Sequence, residues 1–485
     1  MIIDVGMHGA KTIFGNGLRY RMITITLATK QTAMKCFWLT PIVLFFCTGM
    51  LCCQQYNPGR TYSVAELRDD FRLLRDSLEK KHPNLYLYTP KTAFDIFFDS
   101  LYNSITQPLT DLEFYHTITL LNAKIKNGHT MLLPGDSTMA WLNHNGKFFP
   151  FYVRVAGNHL YVNMNCSRDT AIQEGTEIVS INGINAPAIL QTLLQRKIRD
   201  GYNTTYPVWI LDNYFKEYYG FSFGHPLQFS VSLKSSHSQI INRVVNAVSK
   251  DSIRYNRNKR YSSRVITDMA GKGITLDLHK VRAYAVLTIR DFDSDNLKSN
   301  YNQEFKRTID SLFNQIMLSN IKNLILDLRD NQGGNFANGQ LLLSYLLGKP
   351  FKLLIKGEAT EMVQPKEKRF SGKLYILING GSFSNTAIVC SRLAYYKRAV
   401  FIGEETGGNN TVISGFSDDE TTGELPNTKI NCAIPNMVFT IRDDISNAGH
   451  GTMPDYNIVP TITDIINNND TVRKFAVGLI MKNIK

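Results

Sequence analysis

Residues 374–394 read LYILINGGSFSNTAIVCSRLA. Leu374 to Ile378 is an unbroken apolar run, the pattern of a strand covered on both faces. Gly380 and Gly381 break it, and Ser384 to Ala394 then reads as a helix. A strand, a glycine turn and a helix put Ser384 at a helix N-terminus, where the dipole and unpaired N–H groups favour developing negative charge. A serine there can equally be an ordinary N-cap, so this stretch alone predicts a fold before it predicts a reaction.

The same pattern extends both ways. Tyr284 to Ile289 and Leu324 to Leu328 read as strands, Tyr301 to Met317 and Phe336 to Leu347 as helices, and Val400 to Ile402 as a further strand. Repeated strand–helix units between residues 270 and 480 predict a layered α/β domain with a mostly parallel sheet. At the end of one buried strand stands Asp327-Leu328-Arg329-Asp330-Asn331-Gln332-Gly333-Gly334. Paired glycines there can expose backbone N–H groups, which an oxyanion hole needs. Gly128-His129-Thr130, well upstream, offers an imidazole as general base. Each element has a bland reading as turn, cap or structural histidine; their joint order carries the functional one.

Residues 54–133 read as a helical unit. Ser63 with Glu66 and Thr110 with Glu113 form capping-box patterns ahead of apolar residues at helical spacing. Residues 147–250 change to short β-prone runs such as Phe149 to Val155 and Leu160 to Val162, and Gly175 to Gly183 reads as a strand ending in an Asn182-Gly183 turn. Ala188 to Lys197 reads as a helix, Gly201 to Tyr219 as a tyrosine-rich insertion, and Ser249 to Arg264 as a basic linker.

Taken together these segments resemble the C-terminal processing, or tail-specific, serine peptidases of the ClpP/crotonase-like fold. The resemblance runs from about residue 61 to 470 and rests on HPNLY (82–86), NGHT (127–130), the PDZ-like IVSING (178–183), DLRDNQGG (327–334), GGSFSNT (380–386), GEETGG (403–408) and MPDYNIVPT (453–461). It implies Ser384, rather than Ser382, as nucleophile, with the oxyanion held by the Asn385 N–H and an N–H of the Gly333-Gly334 turn. One branch of the family uses a Ser-Lys dyad, but the matching region here, Thr406 to Asn410, has no lysine. His129 instead matches the base of the tricorn-like branch. Its orienting partner is left between Asn436 and Glu405. A base of this kind predicts an activity that falls in acid at about pH 6 to 7. A PDZ-like module would bind a terminal carboxylate by β-augmentation. Polypeptide substrates cut near their C-termini are therefore expected, with no metal or organic cofactor. The alternative is a non-catalytic ligand- or peptide-binding protein on the same scaffold.

The 485 residues suffice for two or three domains with sizeable cores, and the net charge is +13. That charge is spread out and reads as solvated surface, so no nucleic-acid partner is expected. Residues 1–53 read as a leader: from Met34, one lysine precedes an apolar run of signal-peptide length. Cys52 or Cys53 is a candidate for lipid attachment, with ordinary cleavage and a retained anchor as alternatives. Export to the cell envelope, as a periplasmic or outer-membrane lipoprotein, is expected; the oligomeric state is not legible. Cys166, Cys390 and Cys432 lie far apart and read as packed thiols.

Overall fold

A computed structural model describes residues 56–234, 238–262, 264, 272–416, 422–443 and 448–482. The leader, with Cys52 and Cys53, lies outside the described residues. No helix among those described is long and apolar enough to cross a membrane.

The N-terminal helices are α1 (Val64–Lys81), α2 (Lys91–Ser104), α3 (Asp111–Ile118) and the single turn α4 (Asn122–Ile125). Both capping boxes form, with the Ser63 and Thr110 hydroxyls accepting the N–H of Glu66 and Glu113. Strand β1 (Met131–Leu133) and α5 (Asp136–Asn145) follow. The apolar stripe Leu67, Phe71, Leu74 and Leu78 packs with Phe94, Phe98 and Phe114. The same cluster takes in Leu425, Ile430, Cys432 and Ile434 from far along the chain. Buried Asp70 fixes that junction by accepting the Thr428 N–H at 2.8 Å and its hydroxyl at 2.7 Å. The helical unit is thus built jointly with residues about 350 positions downstream, a long-range pairing that local periodicity does not announce.

The next layer is an antiparallel sheet in the order β2 (Phe151–Ala156), β3 (His159–Asn165), β4 (Glu177–Ile181), β5 (Gln228–Lys234), β6 (Ile240–Asn246). Between β4 and β5 lie α6 (Ala186–Leu194), capped by Asn185, and α7 (Thr205–Phe223), which bends at Tyr214. α7 is the tyrosine-rich segment read as an insertion. It packs along β2 and against α6. Leu211, Phe215 and Tyr219 join Phe149, Phe151 and Val153 in one buried cluster. Asp212 reaches the free edge of β2, accepting the Val155 N–H at 2.7 Å and the Arg154 guanidinium at 2.7 Å. That edge is therefore occupied at Val155 by the chain's own helix. The basic segment read as a linker is also a helix, α8 (Lys250–Arg260). Its Ser249 cap and its one buried apolar residue, Ile253, hold a helix that composition alone hides.

The C-terminal half carries β7 (Ile274–His279), β8 (Tyr284–Ile289), α9 (Ser294–Tyr301), α10 (Phe305–Leu318), β9 (Asn323–Asp327), α11 (Phe336–Leu346), β10 (Lys373–Ile378), α12 (Asn385–Tyr395) and β11 (Val400–Gly403). Beyond these come β12 (Val412–Gly415), β13 (Thr422–Glu424), β14 (Asn431–Ala433), β15 (Met437–Thr440), β16 (Tyr456–Asn457) and α13 (Thr471–Lys482). Among the described residues the main sheet runs β7-β8-β9-β10-β11-β16, parallel except for the β7–β8 pair. Leu324 and Leu326 face the side of α10 and α11, while Ile325 and Leu377 face α13. Both faces are covered, which is why these strands read as continuous apolar runs. The expected helix over 301–317 is split, because Asn302 takes a left-handed conformation that ends α9 before α10 begins. Cys166, Cys390 and Cys432 are buried free thiols, and burial pushes Cys166 up to about 11.

Candidate active site

The C-terminal ends of β9 and β10 lie side by side, since Asp327 pairs with Leu377. The loops leaving them therefore meet. In the first, the Arg329 guanidinium bonds Asp327 at 2.7 Å and Asp470, at the head of α13, at 2.7 Å. Burial alone would raise the Asp327 carboxyl, but the charge and bonds of Arg329 hold it down at about 2. In the second, Ser382 is fully buried, and its hydroxyl donates to the Leu328 carbonyl at 2.9 Å. That bond makes Ser382 a tie between the loops. Asn331 is the second tie, its side-chain oxygen accepting the Gly333 N–H at 2.9 Å and the Thr386 hydroxyl at 2.7 Å.

Ser384 stands between this loop and α12 with φ 51° and ψ −126°. A non-glycine residue there is strained by about 1–3 kcal/mol, a conformation that persists only when the surroundings impose it. Its hydroxyl makes no capping bond to α12, which removes the simple N-cap reading. Instead Oγ lies 3.2 Å from His129 Nε2, across 255 residues of chain.

His129 sits between α4 and β1. The Asn127 side-chain oxygen accepts the His129 N–H at 2.9 Å and the Thr130 N–H at 2.9 Å. Gly128 is required by close approach: a Cβ there would lie 2.7 Å from the Phe383 ring. Buried Asp200 accepts the Gly128 N–H at 2.7 Å and the Asn409 N–H at 3.1 Å. One carboxylate thus clips the histidine loop to the loop behind Ser384. Burial raises Asp200 to about 6, against the two N–H bonds. Burial lowers His129 to about 4.

The candidate oxyanion donors divide. The Gly333 N–H is taken by Asn331, so it is not free for a ligand. The N–H groups of Gly334 and Asn385 have no acceptor among the described residues. Gly333 still matters, because a Cβ on it would come within 2.8 Å of the Asn385 nitrogen and of Ser384 Cβ. It keeps clear the space in front of that donor.

Neither expected third residue reaches His129. Its Nδ1 is buried with no hydrogen-bond partner among the described residues. The Glu405 carboxylate is committed elsewhere, accepting the Gly451 N–H at 2.7 Å with His450 Nδ1 at 3.2 Å. β14 pairs with β1 (Ala433 opposite Met131), so the following residues run back towards His129. Asn436 then leaves towards β12, its N–H donating to the Gly415 carbonyl at 3.0 Å.

Sequence reasoning missed Asp200, Asn331, Tyr206 and Phe383. Asn331 and Phe383 lie inside the quoted motifs and could have been asked what they hold. Tyr206 sits in the segment set aside as an insertion, and Asp200 immediately precedes it. Among the described residues no cluster of three or more His, Cys, Asp or Glu side chains could hold a metal ion.

Residues 283–458 match the family model described as peptidase family S41. A "Probable CtpA-like serine protease" of Staphylococcus aureus (strain N315) is 26% identical over 217 residues, 44% of this chain and 40% of the relative. The "Carboxyl-terminal-processing peptidase 2, chloroplastic" of Arabidopsis thaliana is 27% identical over 128 residues, 25% of each chain. The chain thus spans less than half the length of these curated relatives. Among solved structures, mature CPAF superposes with a TM-score of 0.60 at 13% identity, covering 87% of this chain and 98% of that one. Its complex with lactacystin gives 0.61 at 13% identity, covering 87% and 99%. These two share the fold across nearly the whole described chain.

Proposed function

We propose that this protein is an exported serine peptidase that hydrolyses peptide bonds of polypeptides through an acyl-enzyme on Ser384. The observation that carries the reading is the strained, non-capping Ser384 hydroxyl 3.2 Å from His129 Nε2. His129 Nε2 takes the hydroxyl proton as Oγ attacks the carbonyl carbon. The oxyanion that forms is held by the N–H groups of Asn385 and Gly334. As the tetrahedral intermediate collapses, the proton passes to the leaving amine. Water then attacks the acyl-enzyme by the same steps in reverse order, restoring Ser384.

For Nε2 to accept, the imidazole proton must sit on Nδ1, which lacks a partner among the described residues. With burial holding the ring at about 4, His129 is neutral at physiological pH but a weak base. A slow enzyme follows, since general-base catalysis is strongest when the pKa is near the working pH. The absence of a lysine at the dyad position supports the histidine-based, tricorn-like variant. The leader supports export, and the match to CtpA-like relatives supports polypeptide substrates. Cleavage near chain ends is part of what the resemblance implies. The covered edge of β2 argues against reading those ends by β-augmentation there.

The test is hydrolysis of a denatured protein such as casein by the purified chain, compared with Ser384→Ala and Ser382→Ala. Loss of turnover in Ser384→Ala, with Ser382→Ala far milder, is expected. Equal turnover in wild type and Ser384→Ala would refute the assignment. No turnover with any polypeptide, and no reaction with a serine-directed phosphonate, would favour the binding-protein alternative.

A further inference from the structure

A triad histidine is usually held in its plane by a hydrogen bond to the nitrogen remote from the nucleophile. His129 has no such bond among the described residues. What it has is an aromatic face: the Phe383 ring stacks on the imidazole at 4.8 Å between centroids, with the planes 25° apart. Tyr206 covers the other face of Phe383 at 4.2 Å and 5°. Trp209 continues the stack at 5.9 Å and 14°. Phe383 is fully buried and Tyr206 is 2% exposed. Phe383 also immediately precedes Ser384, so its ring connects base and nucleophile directly.

Tyr206 is itself fixed by two hydrogen bonds. Its N–H donates to the Asn203 side chain at 2.8 Å. Its hydroxyl donates to Gln332 Oε1 at 3.2 Å, and Gln332 Nε2 donates to the Gly381 carbonyl at 2.7 Å. The ring therefore touches both loops that carry the site. Trp209, one turn along α7, donates to Asp330 Oδ1 at 2.8 Å. Further along, α7 is held to the antiparallel layer by Asp212 on Val155 of β2 and by Phe215 and Tyr219 against Phe149. A helix anchored at one end on the antiparallel sheet thus presents a rigid ring at the other.

We propose that Tyr206 is a positioning residue, whose ring, stacked through Phe383 onto His129, sets the plane of the imidazole in place of a hydrogen-bonded third residue. The proposal rests on the reading of Ser384 and His129 as nucleophile and base. It accounts for why neither Glu405 nor Asn436 is bonded to the base. It also gives the tyrosine-rich segment a task that its sequence did not disclose.

The test uses two independent readouts on the full chain: the rate at which a fluorophosphonate labels Ser384, and the titration of the His129 ring followed by NMR of the imidazole nitrogens. Tyr206→Leu and Tyr206→Met remove the ring plane; Tyr206→Phe keeps it and removes only the hydroxyl. In whichever ringless variant keeps the wild-type thermal transition, labelling is expected to fall about tenfold to a hundredfold, the range for a small misplacement of a catalytic group. Tyr206→Phe is expected to regain most of that loss. The imidazole titration should move up from about 4 towards the ordinary value in the ringless variants as the ring loosens. Labelling and titration both unchanged in a folded ringless variant would overturn the proposal, as would Tyr206→Phe behaving like Tyr206→Leu. A wild-type protein that is never labelled at Ser384 would sink the peptidase reading instead, and the titration would still decide the role of Tyr206.

Discussion

Acid should inactivate this site at a lower pH than a solvent-exposed histidine would dictate. An imidazole works as a base only when neutral, and an unperturbed one titrates near 6.5. Burial lowers His129 to about 4. A gap of roughly 2.5 pH units at 1.36 kcal/mol each is a bias of about 3 kcal/mol against the imidazolium. A carboxylate on Nδ1 would cancel most of that bias by stabilising the charged ring, and none among the described residues is bonded there. The acid limb first expected at pH 6 to 7 therefore moves to about pH 4. Asp200 adds a second, weaker event. Burial raises its carboxyl to about 6, and protonation weakens its grip on the Gly128 and Asn409 N–H groups.

Global stability is a poor assay for this. The folded His129 binds its proton less readily than the unfolded chain does, so its contribution is full above about pH 6.5 and lost as pH falls towards 4. Asp200 has the opposite sign: its folded pKa is raised, so its contribution is full below about pH 4 and lost as pH rises through 6. The two effects are similar in size and offset each other. The assay is instead the rate of fluorophosphonate labelling at Ser384 between pH 3.5 and 8. A shallow loss near 6 that disappears in Asp200→Asn, then a steep loss near 4 that remains, is expected. A single steep limb at 6 to 7 that survives Asp200→Asn would mean that His129 has a charged partner, and the dyad geometry would be wrong.

Gly333→Ala should abolish labelling, since its Cβ would sit 2.8 Å from the Asn385 nitrogen, and the positive φ of 96° should cost roughly 1–2 kcal/mol of stability in a thermal melt. Arg329→Ala should destabilise the fold by about 3–5 kcal/mol in urea titration, because it strands the buried Asp327 carboxylate. Peptides ending in a free carboxylate and the same peptides amidated should be cleaved at similar rates, because α7 already covers the β2 edge. A strong preference for the free acid would show that α7 leaves that edge or that a second terminus-binding site exists.

The parallel sheet was legible because each strand is buried on both faces and so carries an unbroken apolar run, as Leu324 to Leu328 and Leu374 to Ile378 do. The helix starts at Ser63 and Thr110 were legible because a capping box is a local pattern. α7 was not, because Tyr206, Tyr214, Phe215 and Tyr219 pack on different neighbours around a kink, which blurs the helical period. α8 was hidden by having a single buried apolar residue. In the site, the motif residues Ser384 and His129 came from sequence and resemblance, and the structure puts them 3.2 Å apart. The orienting group was sought among side chains that hydrogen-bond, so a stacked ring was not considered. The occupied Gly333 N–H follows from the Asn331 side chain reaching forward two residues, a local Asx pattern that the reading of the glycine pair passed over.

The most direct test of the central claim is mass spectrometry of the protein after reaction with a fluorophosphonate, with the adduct mapped by peptide. The account predicts one adduct on Ser384, lost in Ser384→Ala and strongly slowed in His129→Ala, with casein hydrolysis falling in parallel. An adduct on Ser382 or elsewhere, or casein hydrolysis that persists in Ser384→Ala, would contradict it.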